Sequence, residues 1–284
     1  LVGSEMCIRD RAYTPWEWHE ELFHVAKEEG LICFSSPFDK TAVDMLEALD
    51  CPVYKIASFE ITDIPLIEYA ASKHKPMVLA TGIATEEDIQ LAVEACRRMG
   101  NNDITVLKCT SSYPAPVEEA NLCMIRDLAE RFQVKSGLSD HTLGSVSPIV
   151  AVTQGASMIE KHFILNRSIG GPDCSFSMEE KDFAQMVKDV RMAELSLGKT
   201  TYELTEKMRG SRSASRSLYV AEDMKAGEVI TERNVRSVRP GFGLHPKYLK
   251  DILGKNVNRD LEKGTRFALE YVNGLSLIHI SEPT

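Results

Sequence analysis

The sequence is short of several things, and each shortage narrows what it can be. Its seven cysteines are odd in number, scattered, and form no CxxC pair, which argues against a disulfide framework. Cys33, Cys96 and Cys109 lie inside apolar runs and read as buried, reduced thiols of a cytoplasmic protein. No apolar run approaches the roughly 20 residues that a membrane-spanning helix needs. Positive charge is scarce too. With 33 Lys and Arg against 42 Asp and Glu, the net charge of −9 excludes a general nucleic-acid binder, though not a local basic pocket for a small anion. A Gly-rich dinucleotide turn is also missing.

What remains is an ordinary globular composition, 43% hydrophobic and 26% charged, over 284 residues. That is enough for one large domain, or a large one and a small one. Residues 1–11 and 274–284, which include Cys7 and His279, fit neither neighbouring pattern. They resemble translated sequencing-adapter read-through and are set apart from the fold, with the natural chain expected to continue upstream of Ala12.

Between residues 12 and 198, short β-branched runs alternate with amphipathic stretches. Strands are predicted at 31–36, 52–58, 76–82, 104–111, 133–140 and 157–164. Two helix starts are legible. Thr14-Pro-Trp-Glu17 offers a capping hydroxyl, a first-turn proline and a carboxylate. Thr85-Glu-Glu-Asp88 offers a capping box, followed by Ile89, Val93, Cys96 and Met99 on one face. Strands such as MVLA and ITVL are apolar on both faces, as in a parallel sheet covered by helices. Successive βα units then predict a (β/α)8 TIM barrel whose first two strands lie outside the sequence. Residues 199–214 are polar and Ser-rich and read as a linker. Residues 215–273 read as a small β-rich domain, in which Asp223-Met-Lys-Ala-Gly227 and Asp260-Leu-Glu-Lys-Gly264 repeat one turn pattern.

In such a barrel the chemistry gathers at the carboxyl ends of the strands. Those ends carry Ser36, Lys55 with Ser58 and Glu60, Thr81-Gly82, Lys108 with Ser111 and Tyr113, Ser139-Asp140-His141, and Glu160-Lys161-His162. Hydroxyls and lysines together suit an anion. Lys55 reads first as part of that anion site, ahead of a strand-end lysine reaching solvent and, behind both, a Schiff-base lysine. His141 and His162, on consecutive strand ends, suit a shared divalent ion that keeps open positions, or else two hydrogen-bonded core histidines. His19 and His24 read as surface residues, and His74 lies at the opposite end of the barrel.

The motifs FSSPFD, YKIASFE, ATGIAT, KCTSSYPAP, GLSDHT, IEKHF and GGPDCSFS, in this order, resemble the sialic acid synthase family of phosphoenolpyruvate-condensing enzymes. RSLYVAEDMKAGEVIT and VRPGFG resemble that family's antifreeze-like β-clip (SAF) domain. Within the family, YTPWEWH, GGPDCSFS and RPGFGLHPKYL are most similar to the branch acting on 2,4-diacetamido-2,4,6-trideoxy hexoses. The resemblance implies that His141 and His162 bind a divalent metal, Mn²⁺ ahead of Mg²⁺ or Co²⁺. It implies that Ser36, Lys55, Ser58, Ser111 and Ser139 hold phosphoenolpyruvate, and that Glu60 manages protons at the reacting centre. Tyr113, Asp173 and Arg239 would face the amino sugar, Arg239 from a partner subunit in a domain-swapped homodimer. A sugar-contacting glutamate and a substrate-binding lysine would lie on the two absent strands, so the sequence as it stands is expected to be inactive alone. Ala80 stands where many relatives have serine. Two rival readings are an aldol synthase of a sugar phosphate and a carbohydrate-binding or assembly protein without catalysis.

Overall fold

A computed structural model describes residues 14–171 and 173–274, so the expectations for segments 1–11 and 275–284 lie outside the described residues. The chain divides into two units, residues 1–198 and 199–284.

The first unit is a curled parallel sheet under helices. Its elements run α1 (Trp16–Glu28), α2 (Lys40–Ala48), β1 (Tyr54–Ile56), α3 (Ile64–Ala71), β2 (Met77–Ala80), α4 (Glu86–Arg98) and β3 (Ile104–Cys109). Then follow α5 (Met124–Phe132), β4 (Lys135–Asp140), α6 (Val146–Thr153), β5 (Met158–Lys161) and α7 (Glu180–Leu197). The five strands pair in sequence order, all parallel, as one half of a βα barrel. Residues 31–36 do not form the sixth strand that their apolar run, Leu31 to Phe34, predicted. They make a single parallel bridge, Ser35 to Tyr54, and Leu31 and Ile32 are 67% and 77% exposed. An edge segment paired on one side alone has little to hold it in a ladder.

Strand alternation sorts the side chains into two sets. Tyr54, Ile56, Met77, Leu79, Ile104 and Val106 point outward into one core with Val43 and Leu46 of α2, Leu66 and Ile67 of α3, and Ile89 and Val93 of α4. Leu138 and Ile159 point outward likewise, against Ile125 and Ala151. The residues between them on each strand, Lys55, Cys109, Ser139 and Glu160 included, therefore line the concave inner face.

The helix starts differ in how far they follow the sequence. Thr85 and Asp88 form a true capping box, with Thr85 N–H donating to Asp88 Oδ2 at 2.8 Å and Asp88 N–H to Thr85 Oγ1 at 3.2 Å. Thr14 does not cap α1. The helix begins at Trp16 behind an extended Pro15 and has no side-chain cap. His19 is buried, contrary to its surface reading, because its Nδ1 turns back to Pro15 O at 3.1 Å, whereas His24 is exposed beside Glu28. Of the three cysteines read as buried, Cys96 and Cys109 are, while Cys33 on the edge segment is half-exposed.

The second unit opens with a six-residue helix, α8 (Glu206–Ser211), inside the stretch read as a linker; the Thr205 hydroxyl accepts from Met208 N–H at 3.2 Å. Strands β6 (Ser217–Val220) and β7 (Val235–Val238) then pair antiparallel, and Leu249–Ile252 forms a last short helix, α9. Leu218, Val220, Met224, Ile230, Val235, Ile252, Val257 and Phe267 make its core. The repeated turns sit face to face. Met224 and Leu261 exchange backbone hydrogen bonds, with N–O distances of 2.8 and 2.9 Å. Asp260 Oδ1 accepts from Ala226 N–H at 2.8 Å, and Asp223 Oδ1 accepts from Lys263 N–H at 2.7 Å. Each turn thus caps the other, and each ends in a glycine, Gly227 or Gly264, whose positive φ near 90° disfavours other residues. No helix among the described residues is long and apolar enough to cross a membrane.

Candidate active site

GLSDHT and IEKHF end adjacent strands, and alternation splits each motif in two. Leu138 and Ile159 face outward, so Asp140 and Lys161 do too, while Ser139, His141, Glu160 and His162 face inward. The outward pair forms a salt bridge, Lys161 Nζ to Asp140 Oδ2 at 2.6 Å, with both side chains 1% exposed. Asp140 Oδ1 also accepts from Thr142 N–H at 2.9 Å and Oγ1–H at 2.8 Å, and Lys161 donates to Thr142 O. These two charges tie the loop after β4 to the sheet and stand behind the site.

The inward set converges. The rings of His141 and His162 have centroids 5.1 Å apart. His141 Nδ1 lies 3.1 Å from Thr110 O, which fixes it as the N–H donor and leaves Nε2 free. Burial pushes the pKa of both imidazoles below the ordinary value; for His141 the neighbouring His162 adds to this. Asp173 Oδ2 stands 3.7 Å from His162 Nδ1. Tyr113 packs on His141 with centroids 4.5 Å apart, and burial raises its phenol pKa.

Beside the imidazoles, Glu160 Oε1 accepts from Lys55 Nζ and from Ser139 Oγ, each at 2.7 Å. Lys55 is on the first strand and Glu160 on the fifth, so this contact spans the concavity and records how far the sheet has curled. A second cluster lies at the end of β2. Gly82 N–H donates to Ser58 Oγ at 3.1 Å, and Ser58 Oγ lies 3.5 Å from Cys109 Sγ. A Cβ built on Gly82 would stand 2.0 Å from Ser111 Oγ and 2.8 Å from Ser58 Oγ, so only glycine lets the backbone lie this close. Ser111 Oγ is buried beside Gly82 and interacts with the Tyr113 phenol, without a hydrogen bond of full geometry among the described residues.

Most of the residues singled out from the sequence lie in these clusters. Ser36 follows the Ser35–Tyr54 bridge and is level with Lys55. Glu60 closes the single 3₁₀ turn Ser58–Glu60 after β1. Arg239 is exposed at the end of β7, in the second unit. Three contributors were missed: Glu160 as the anionic partner of Lys55, Cys109 beside Ser58 and 3.8 Å from His141 Nδ1, and Phe176, which packs on both imidazoles. Counting alternate positions outward from Leu138 and Ile159 would have found Glu160.

The residues fit a divalent ion. Two imidazoles face each other with ring centroids 5.1 Å apart, and one has its second nitrogen already committed to a carbonyl, the usual way a metal-binding ring is oriented. Among the described residues no third His, Cys, Asp or Glu completes a metal-holding group with them, which leaves open positions for water and substrate.

A parallel half-barrel with imidazoles, hydroxyls and a lysine gathered at its strand ends defines a βα-barrel enzyme for a small anionic substrate. The profile of the NeuB family matches residues 3–202 and that of the SAF domain residues 215–266, and the chain belongs to the NeuB family. It is 50% identical to the pseudaminic acid synthase of Helicobacter pylori over 91% of this chain and 76% of that protein. It is 33% identical to the N,N'-diacetyllegionaminic acid synthase of Legionella pneumophila, over 90% of this chain and 73% of the relative. Among solved structures it is similar to the spore coat polysaccharide biosynthesis protein SpsE of Bacillus subtilis. That match has a TM-score of 0.64 and 29% identity, covering 97% of this chain and 82% of the other.

Proposed function

We propose that the protein is a pseudaminic acid synthase, a transferase that condenses phosphoenolpyruvate with an open-chain 2,4-diacetamido-2,4,6-trideoxy hexose to release phosphate. The observation that carries this reading is the imidazole pair, 5.1 Å apart, directly beside the Lys55–Ser139–Glu160 cluster. Identity of 50% to a pseudaminic acid synthase, against 33% to an N,N'-diacetyllegionaminic acid synthase, favours the stereoisomer of this sugar that yields pseudaminic acid.

His141 and His162 would hold a divalent ion, Mn²⁺ ahead of Mg²⁺ or Co²⁺, which supplies Lewis-acid polarisation of the sugar aldehyde. Lys55 and Ser36 at one strand end, Ser139 across the concavity, and Ser58 and Ser111 around Gly82 grip the phosphate and carboxylate. Carbon 3 of phosphoenolpyruvate bonds to the aldehyde carbon, whose oxygen takes up a proton. Water adds at carbon 2 and gives its proton to a carboxylate, Glu60 in this reading. The C2–O bond to the bridging oxygen then breaks, leaving a ketone at carbon 2 and inorganic phosphate. Tyr113 and Asp173 line the sugar side, and Arg239 reaches that side from a partner subunit of a homodimer.

The test is to express the protein from its complete reading frame and supply phosphoenolpyruvate labelled with ¹⁸O at the bridging position, Mn²⁺ and the diacetamido sugar stereoisomer that yields pseudaminic acid. The label is expected in the released phosphate, alongside a nine-carbon keto acid. Label retained in the acid refutes the bond cleavage. Turnover with the legionaminate or neuraminate precursor alone refutes the choice of sugar.

A further inference from the structure

The segment after β5 holds a residue, Phe176 of GGPDCSFS, to which sequence reasoning assigned no role and which the reaction does not use. Phe176 is 2% exposed, yet it lies among polar groups rather than in either apolar core of the first unit. Its ring meets His162 with centroids 4.9 Å apart at 65°, His141 at 6.2 Å and 79°, and Tyr113 at 5.7 Å and 49°. Separations of about 4.5–7 Å with tilted or edge-on planes are those in which aromatic rings attract and orient one another.

The backbone around Phe176 is fixed to the strand that it serves. Met178 N–H donates to His162 O at 2.9 Å, and Ile164 N–H donates to Met178 O at 2.9 Å. Ser177 N–H and Oγ–H both donate to Asp173 O, at 3.2 and 2.7 Å. Residues 173–178 therefore form a clip on the end of β5 that presents one carboxylate and one aromatic ring to the imidazoles.

The two histidines depend on this clip unequally. His141 already has a ring nitrogen hydrogen-bonded to Thr110 O at 3.1 Å. Among the described residues His162 has no equivalent bond: Asp173 is 3.7 Å away, beyond hydrogen-bond length. Packing must then set the rotamer of His162, and Phe176 is the buried ring that packs on it.

We propose that Phe176 is a positioning residue which holds the His162 imidazole against its His141 partner and so sets the affinity of the pair for a divalent ion. This rests on reading the pair as a metal site, and the experiment separates the two claims. Co²⁺ is titrated into the metal-free protein while its visible d–d band is recorded, for the wild type, Phe176→Leu and Phe176→Ala. Leucine keeps the site filled and apolar but lacks the flat ring.

For Phe176→Leu, Co²⁺ is expected to bind on the order of ten-fold to a hundred-fold more weakly, with a changed band shape, as when a supporting contact to a metal ligand is lost. Its metal-free thermal midpoint should stay near that of the wild type. Phe176→Ala should bind at least as weakly. If alanine prevents folding, the leucine variant decides alone. A Phe176→Leu protein with wild-type Co²⁺ affinity and band shape overturns the inference. A wild-type protein that gives no Co²⁺ band overturns the metal reading and the inference together.

Discussion

Replacing Lys161 by methionine should destabilise the first unit without touching its chemistry. Lys161 and Asp140 are each 1% exposed and 2.6 Å apart, on the face of the sheet opposite the imidazoles. Removing one partner of a buried pair strands the other charge, a loss typically of about 3–5 kcal/mol. Asp140 would keep two donors on Oδ1, the Thr142 N–H at 2.9 Å and hydroxyl at 2.8 Å, while Oδ2 would have lost its lysine. Those remaining bonds place the expected loss near the lower end, about 3 kcal/mol. For a unit of this size, each kcal/mol moves the thermal midpoint by roughly 2–4 °C, so the drop should be about 6–12 °C. The double variant Asp140→Asn with Lys161→Met keeps an acceptor for Thr142 and removes the stranded charge. It should recover more than half of the loss. Urea denaturation followed by circular dichroism measures both, and a Co²⁺ titration of the single variant should match wild type. A single variant within about 0.5 kcal/mol of wild type, or a double variant as unstable as the single, would refute the argument.

Other outcomes follow from the inner face. Glu160→Gln removes the carboxylate that accepts from Lys55 and Ser139, so calorimetry should show phosphoenolpyruvate binding several-fold more tightly; weaker binding would mean that Glu160 helps to hold the substrate. Gly82→Ala puts a methyl group 2.0 Å from the Ser111 hydroxyl and should weaken that binding ten-fold or more, while adding Ser111→Ala should restore stability but not affinity. Both imidazoles have folded-state pKa values below the ordinary one, so the unfolded chain takes up protons first as the pH falls. The stability that this contributes to the metal-free protein is complete above about pH 6.5 and lost on acidifying through the folded-state values. Urea midpoints from pH 7.5 to 5 should fall accordingly, and the variant His141→Gln with His162→Gln should flatten that slope.

Local signals in the sequence were faithful where the backbone alone decides. The Thr85–Asp88 box needs only four consecutive residues and formed as read. The histidine pair was legible because consecutive parallel strands bring their ends together whatever lies between them. Signals failed where a distant partner decides. LICFSS is apolar enough at its start for a strand, but with pairing on one side it makes only the bridge at Ser35. The role of Asp140 and Lys161 depended on which face of the strand was inside, which needs a fixed register and not a motif. Lys55 and Glu160 are 105 residues apart in sequence and meet only because the sheet curls. Phe176 stands in GGPDCSFS three residues after Asp173, but no motif says where a ring points, and only the contacts of the finished fold set it against the imidazoles.

The paired turns of the second unit have a dynamic consequence. Because Asp223 holds Lys263 N–H and Asp260 holds Ala226 N–H, neither loop can open without releasing the other's amide. Two stretches of chain some forty positions apart are thereby joined into one opening event. Deuterium should enter the amides of Ala226 and Lys263 at a shared rate, and changing either aspartate to alanine should speed both.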